Sequence, residues 1–308
     1  MAHTIEFKGE KIIEIKEGQS ILEASLQAGI PHYHECGGKA KCSTCRILVM
    51  NGERALSAPN EKELKLRETL GFCDNIRLAC QTKVTADAAI VRRIIRDKTD
   101  VSIYSNLYKK NNSFQEVGEE RELALFFLDI RNFTPFMESH LPFDVIHIVR
   151  RLFQIFKTDI ETHNGKIIET AGDGLYAVFG TDCNLKDAIN SAVKAGYLIL
   201  NDLKRFNENY AVNYFNHQFE VGIGLHAGNV IVGNIGLGIS NNLTVMGLPV
   251  NIASRLQSAT KEVNNSFIVS EYAHSFLYDH IRNPSAINIS LRGVTGIRKV
   301  FLLGASYS

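Results

Sequence analysis

The chain has 308 residues, 45% of them hydrophobic and 22% charged, so two domains are the better expectation at this length. Lys and Arg total 34 against 33 Asp and Glu. This balance excludes a global field that would favour nucleic acid or an anionic membrane as a partner. No apolar run approaches the roughly 20 residues that span a bilayer, and the first residues lack the features of a signal peptide. The sequence predicts a cytoplasmic protein.

Four of the six cysteines are clustered by their spacing. Cys36, Cys42 and Cys45 follow the pattern C-x5-C-x2-C, and Cys80 completes the set. Disulfides are rare in the cytosol, so we interpret these thiols as metal ligands before bridges. The loop at 36–45 is rich in small residues, which let backbone N–H groups approach the sulfurs. Cys73 and Cys183 stand alone and are predicted to be buried or inert thiols.

The pattern around these cysteines is typical of a small β-grasp domain. We expect a hairpin around Gly9, followed by a helix for which Ser20 and Glu23 form a capping box. A strand at 46–50 and a helix at about 60–70 complete the order. Residues 90–96 fit either a final strand or a short amphipathic helix.

These elements and the cysteine spacing resemble a 2Fe-2S ferredoxin domain over roughly residues 3–92. The resemblance implies a 2Fe-2S cofactor with Cys36, Cys42, Cys45 and Cys80 as its ligands. A structural zinc site is the alternative, since four thiolates also satisfy tetrahedral Zn²⁺. Zinc modules usually carry two C-x2-C pairs, and here only Cys42 and Cys45 are so spaced.

The rest of the chain has a different pattern. We predict a ferredoxin domain at 1–92, a connector at 93–120 and a second domain at 121–308. In the second domain, strand and helix patterns alternate in the order βαββαβ, with a buried strand at 123–128 and long amphipathic helices at about 143–163 and 185–206. The fold class is therefore α+β.

Two carboxylates stand at the ends of predicted strands. Asp129 follows the buried strand, and Asp173 lies in the Gly172-Asp173-Gly174 turn between the next two. Neighbouring strands of one sheet would bring the two side chains together. Such a pair is what two divalent cations need in order to bridge a nucleoside triphosphate.

Five motifs in the order of one family make the resemblance specific. Residues 121–304 resemble a class III nucleotidyl cyclase catalytic domain. The motifs are Asp-Ile-x-x-Phe-Thr at 129–134, Gly-Asp at 172–173, Gly-Ile-Gly-Leu-His-Ala-Gly at 222–228, Gly-Asn-Ile-Gly at 233–236, and Gly247 with Val-Asn-Ile-Ala-Ser-Arg at 250–255. One departure is Asn132, where the family often has glycine.

The resemblance implies a cyclase that makes a 3′,5′-cyclic nucleotide and pyrophosphate. Asp129, the Ile130 carbonyl and Asp173 would hold two Mg²⁺ or Mn²⁺ ions. Asn251 would orient the ribose, and Arg255 would stabilise charge on the α-phosphate. The two residues are four apart on a predicted helix and share a face. Arg292, in a late turn, matches a basic triphosphate contact only loosely, and a solvated loop cation explains it equally well.

Base choice is expected to rest on Glu169 and Thr244. Adenylyl cyclases of the family usually have Lys at the first position, whereas guanylyl cyclases have Glu. A carboxylate can accept from both guanine N1–H and the exocyclic amine, but it faces adenine N1 badly because that atom is an acceptor. The Thr244 hydroxyl can serve either base. GTP is therefore favoured, with ATP as the alternative.

Three hypotheses remain open from the sequence alone. The first is a purine nucleotide cyclase that works as a homodimer and binds a 2Fe-2S cluster. The redox state of the cluster would regulate its activity, and a redox partner protein of unspecified identity would exchange electrons with it. The second is an electron carrier with an inactive cyclase-like dimerisation domain. The third is a zinc-stapled cyclase without a redox role.

Overall fold

The computed structural model describes residues 2–87, 89–96, 119–233, 243–278 and 284–307. The chain divides into two compact units, Met1–Val117 and Gly118–Ser308. Most of the predicted connector at 93–120 lies outside the described residues, as does the Gly-Asn-Ile-Gly motif from residue 234 onward. None of the helices within these ranges combines the length and the apolar character that a bilayer crossing requires.

The N-terminal unit is built on one five-stranded sheet. Its strands are β1 Ala2–Phe7, β2 Lys11–Lys16, β3 Arg46–Asn51, β4 Ile76–Leu78 and β5 Ala89–Arg93, in the order β2-β1-β5-β3-β4. The hairpin of β1 and β2 turns at Gly9, whose φ of 75° suits a residue without a side chain. β5 runs parallel to β1, so the strand interpretation of residues 90–96 is confirmed for 90–93.

One helix of this unit precedes the cysteine loop and a second follows it. Helix α1 spans Ile21–Gln27 and begins with the predicted capping box, in which Ser20 and Glu23 bond each other's backbone N–H groups. Helix α2 spans Glu61–Leu70. Its buried Glu63 accepts hydrogen bonds from the Arg77 side chain and from the Leu78 N–H, 2.8 Å away. These bonds fix the strand that ends two residues before Cys80.

The C-terminal unit contains the predicted βαββαβ order within an eight-stranded sheet. Its strands are β6 Glu119–Ile130, β7 Gly165–Ala171, β8 Gly174–Phe179, β9 Val221–Gly233, β10 Thr244–Met246, β11 Phe267–Ser270, β12 Ser285–Ser290 and β13 Ile297–Leu302. The order across the sheet is β12-β13-β11-β9-β6-β8-β7, with β10 paired to β9. β6 is an interior strand between β9 and β8, so its C-terminal end is flanked on both sides.

The helices divide between the two faces of this sheet. They are α3 Phe133–Ser139, α4 Pro142–Thr162, α5 Leu185–Phe206, α6 Val212–Phe215, α7 Leu248–Ala259 and α8 Glu271–His274. The largest core cluster joins α4 and α5 to one face through side chains such as Phe126 and Phe156. Helix α7 contributes Ala253 to a smaller cluster that includes Leu125, the strand neighbour of Phe126 that points to the opposite face.

Glycines of β9 allow α7 to lie close to the sheet. A Cβ on Gly224 would overlap backbone atoms of Ala253 and Gln257 in the helix. A Cβ on Gly228 would come 2.8 Å from the Pro249 ring, near the start of α7. Gly224 and Gly228 of the 222–228 motif are thus a steric requirement of helix packing, and β9 runs unbroken through the motif.

Candidate active site and cysteine cluster

The two predicted metal-binding carboxylates lie side by side. Asp129 is next to last in β6 and pairs with Gly174 of β8 on one side and Gly222 of β9 on the other. The Ile130 N–H donates to the Asp173 carbonyl at 3.2 Å, which holds the β7–β8 turn against the end of β6. Sheet pairing therefore brings Asp129 and Asp173 together, as the sequence predicts.

This arrangement is electrostatically costly without a cation. Burial raises the pKa of Asp129 and the Asp173 charge raises it further, while the Arg131 guanidinium opposes both effects. A Cβ on Gly174 would lie 3.1 Å from the Asp129 carboxylate, so glycine leaves this side open. Two carboxylates suit hard cations such as Mg²⁺, which take their other ligands from water and phosphates. The donor set therefore fits the predicted metals.

The two candidate base-recognition residues lie on strands that both contribute to one apolar cluster. Phe127 and Tyr176 stack there with ring centroids 4.4 Å apart, and Ile168 and Val245 belong to the same cluster. Glu169 directly follows Ile168 and is exposed on β7, while Thr244 precedes Val245 and is half-buried on β10. The Tyr176 hydroxyl is buried and has no hydrogen-bond partner among the described residues.

Asn251 and Arg255 lie on α7 and are both exposed. Their spacing of four places them on one face of the helix, as predicted. Within the described ranges, Asp129 forms its ion pair with Arg131, and neither carboxylate forms one with Arg255. Arg292 is exposed in the turn between β12 and β13, next to Gly293 at φ 77°.

Two features of the site were not predicted from the sequence. Arg131 contacts Asp129, with Nη1 and Oδ1 3.5 Å apart. The sequence signal for this contact is that Arg131 follows Asp129 by two positions, because residues two apart near the end of a strand point to the same side. Asn132 adopts the left-handed conformation at φ 52°, which asparagine tolerates better than most residues and which explains its presence where the family often has glycine.

The four clustered cysteines come together as two pairs. The Cys45 and Cys80 sulfurs are 3.4 Å apart. The pKa of Cys36 is lowered to about 5, chiefly by a hydrogen bond with Cys42 and then by backbone N–H groups of the loop. Positive φ angles at 37, 38 and 40 turn the loop so that it wraps the thiols.

This pairing distinguishes the two candidate cofactors. Two pairs of thiols suit two irons that each take two thiolates, whereas one zinc needs four thiolates around a single centre. Within the described residues, no three His, Cys, Asp or Glu side chains are grouped so that they could hold one metal ion. Cys73 and Cys183 are exposed, so burial, the first of the two predicted alternatives, is wrong, and their inertness stays a prediction. Each lies next to an aspartate in the chain, Asp74 and Asp182.

Comparison with known families identifies both units. The family described as adenylate and guanylate cyclase catalytic domain matches residues 116–304, and the family described as 2Fe-2S iron-sulfur cluster binding domain matches residues 5–85. The first match covers more than half of the chain. The chain therefore belongs to the adenylate and guanylate cyclase catalytic domain family, and it has a 2Fe-2S domain at its N-terminal side. The predicted fusion and the α+β fold class are confirmed.

Curated relatives match the cyclase part of the chain. An uncharacterised protein of Mycobacterium tuberculosis is 32% identical over 156 residues, which are 51% of this chain and 27% of that protein. An adenylate cyclase of Anabaena cylindrica is 29% identical over 164 residues, covering 51% of this chain and 31% of that protein. The chain thus matches less than a third of the length of either relative.

Solved structures share the fold. The guanylyl cyclase Cya2 aligns with a TM-score of 0.56 and 24% identity, covering 62% of this chain and 95% of that one. The adenylyl cyclase CyaB from P. aeruginosa aligns with a TM-score of 0.55 and 22% identity, covering 61% of this chain and 96% of that one. The same architecture therefore occurs in a guanylyl cyclase and in an adenylyl cyclase.

The cysteine assignment predicts a coloured protein. Purified protein should be red-brown, and Cys45→Ser should lose the colour, because a cluster that lacks one thiolate is seldom retained. Cys73→Ser, which removes an exposed thiol of the same unit, should keep it. Ultraviolet-visible spectra with iron and zinc analysis measure the outcome. A colourless wild type with stoichiometric zinc, made under iron-replete and anaerobic conditions, would contradict the 2Fe-2S assignment.

Proposed function

We propose that this chain converts GTP to 3′,5′-cyclic GMP and pyrophosphate, with two Mg²⁺ or Mn²⁺ ions held by Asp129, the Ile130 carbonyl and Asp173. The observation that carries this proposal is the placement of the two carboxylates, side by side at the end of the central strand. When bound, the cations would activate the ribose 3′-hydroxyl and neutralise the phosphates.

The remaining roles fall to side chains of this chain. Asn251 orients the ribose through its amide, and Arg255 offers planar N–H donors to the α-phosphate as negative charge develops there. Both are exposed on α7 and lack competing ion pairs within the described residues, which supports these roles. Arg292 is a candidate contact for the terminal phosphates, supported only by its exposure in a turn.

Guanine is the better match for the base site. Glu169 presents an exposed carboxylate on β7, where it pairs with Tyr176 of β8. The carboxylate accepts from the two guanine donors, and the Thr244 hydroxyl donates to guanine O6. ATP is the alternative substrate, since the Thr244 hydroxyl could also accept from adenine and some relatives are named adenylate cyclases.

The assignment of GTP as the substrate predicts that reversing the charge at position 169 weakens the preference for GTP over ATP. Wild type should turn over GTP in preference to ATP, and Glu169→Lys should lower GTP turnover by more than about tenfold, because facing donors with an ammonium costs about 2 to 4 kcal/mol. Adding Thr244→Asp should raise ATP turnover. Glu161→Lys, an equal charge change on α4, is the control. The measurement is the amount of cyclic GMP and cyclic AMP that each protein forms. A wild type that prefers ATP would contradict the proposal that Glu169 selects guanine.

We propose further that the enzyme works as a two-fold dimer with two shared sites. In each site, one chain would supply Asp129 and Asp173, and its partner would supply Glu169, Thr244, Asn251 and Arg255. The lack of an ion pair between Arg255 and either carboxylate within the described part of one chain supports this division. An electron carrier with an inactive cyclase-like domain is a weaker alternative, because the carboxylates and the α7 pair are all retained.

The 2Fe-2S domain is proposed to regulate the cyclase. This proposal is based on the presence of both domains in one chain. Reduction adds one negative charge to the cluster, and this change of charge would shift the activity of the cyclase domain.

Regulation predicts that activity depends on the oxidation state. Cyclase activity of wild type should differ between dithionite-reduced and air-oxidised samples, and Cys45→Ser should show no such difference. The measurement is turnover with the visible spectrum recorded on the same sample, so that cluster integrity is known. Equal activities with intact clusters would remove the support for regulation.

A further inference from the structure

Arg131 is mostly buried and joins three parts of the C-terminal unit. Its Nη1 lies 3.5 Å from the Asp129 carboxylate. Its Nη2 donates to the Gln257 carbonyl at 2.7 Å and to the Thr260 hydroxyl at 2.5 Å. Its Nε donates to the Tyr307 hydroxyl at 3.4 Å. Each of the three nitrogens therefore faces a different element.

The fold provides a slot for this guanidinium. Gly222 of β9 lies directly against it, and a Cβ there would overlap both the Arg131 side chain and the Thr260 hydroxyl. On the far side, the Tyr307 hydroxyl donates to the Val221 carbonyl at 3.3 Å, which fixes the tyrosine. The guanidinium thus lies between Gly222, which has no side chain, and Tyr307, whose hydroxyl is held by a hydrogen bond.

The contact with α7 is made at its C-terminal end. Gln257 lies in the last turn of α7, where its carbonyl also accepts from the Thr260 N–H at 3.2 Å and from the Thr260 hydroxyl at 2.6 Å. A cation at this end also interacts favourably with the helix dipole. Asn251 and Arg255 lie on the same helix, within the two turns before Gln257. The group that contacts the metal-binding carboxylate therefore also fixes the end of the helix that carries the phosphate-binding residues.

We propose that Arg131 is a positioning residue that sets Asp129 and α7 together, and so couples the two active sites of the dimer. The inference rests on the proposed function, in which Asp129 binds metal and the sites are shared. One chain then gives its carboxylates to one site and its α7 residues to the other. Because one guanidinium holds both, a change at Arg131 perturbs both sites.

Arg131→Lys tests the positioning role, since an ammonium lacks the planar fork and reaches one partner but not all three. Turnover should fall about tenfold to a hundredfold, the effect of a misplaced catalytic group. Mn²⁺ affinity, followed by electron paramagnetic resonance, should weaken in parallel. Arg121→Lys is the matched control, because Arg121 is a half-buried arginine of the same strand that bonds the Thr181 carbonyl at its other end. A lowered melting temperature with unchanged Mn²⁺ affinity would mean a purely structural role and overturn the proposal.

Mixed dimers test the coupling. As a control, Asp129→Ala mixed with Arg255→Ala should recover roughly a quarter of wild-type activity, because half the dimers are mixed and each has one intact site. In a mixture of Arg131→Lys with Arg255→Ala, the competent site takes its carboxylates from the Arg255→Ala chain and α7 from the Arg131→Lys chain. In a mixture of Arg131→Lys with Asp129→Ala, the competent site takes its carboxylates from the Arg131→Lys chain.

Coupling predicts that both Arg131→Lys mixtures recover clearly less than the control, after subtraction of the residual Arg131→Lys activity. Full recovery in the mixture with Arg255→Ala would show that Arg131 acts on Asp129 alone and would overturn the coupling. Full recovery in both mixtures would overturn any positioning role. If the control itself recovers nothing while subunit exchange is confirmed, the shared site of the proposed function fails, and the coupling fails with it.

Discussion

Burial of the Asp129 carboxylate beside Asp173 is the electrostatic constraint on the candidate active site. The pairing of β6 with β8 forces the two carboxylates together at one end of the sheet. Burial and mutual repulsion raise the pKa of Asp129, and Arg131 offsets only part of the effect. A divalent cation bound by the two carboxylates, as proposed, would offset the remaining penalty.

Close packing is the constraint on helix α7, which carries the proposed ribose- and phosphate-contacting residues. Gly224 and Gly228 permit the helix to lie close to the sheet. Gly222 serves a different purpose, since it makes room for Arg131. One glycine-rich strand thus makes room both for the helix and for the guanidinium beside Asp129, the proposed metal ligand. A dinucleotide-binding loop would use glycines for a different reason, close approach to pyrophosphate.

Local signals in the sequence predicted local structure well. The capping box of Ser20 and Glu23 and the turn at Asp173 depend on residues close together in the chain, and both are found. The convergence of Asp129 with Asp173 was predictable because neighbouring strands fix it. The bonds of Arg131 to Gln257 and Tyr307 were not predictable, because they join residues more than a hundred positions apart through helix packing. The exposure of Cys73 was missed for a similar reason, since burial depends on which elements cover a loop.

The central claim is that the two carboxylates bind the catalytic cations. The activity of an Asp173 variant tests this claim most directly. Asp173→Asn keeps the size of the side chain and removes its charge, in a polar turn where a metal ligand contributes little to the fold without metal. Pure protein with GTP and Mn²⁺ should form cyclic nucleotide and pyrophosphate in equal amounts. The variant should form almost none, with a melting temperature near that of wild type. A variant that kept a tenth or more of wild-type activity would contradict the two-metal account.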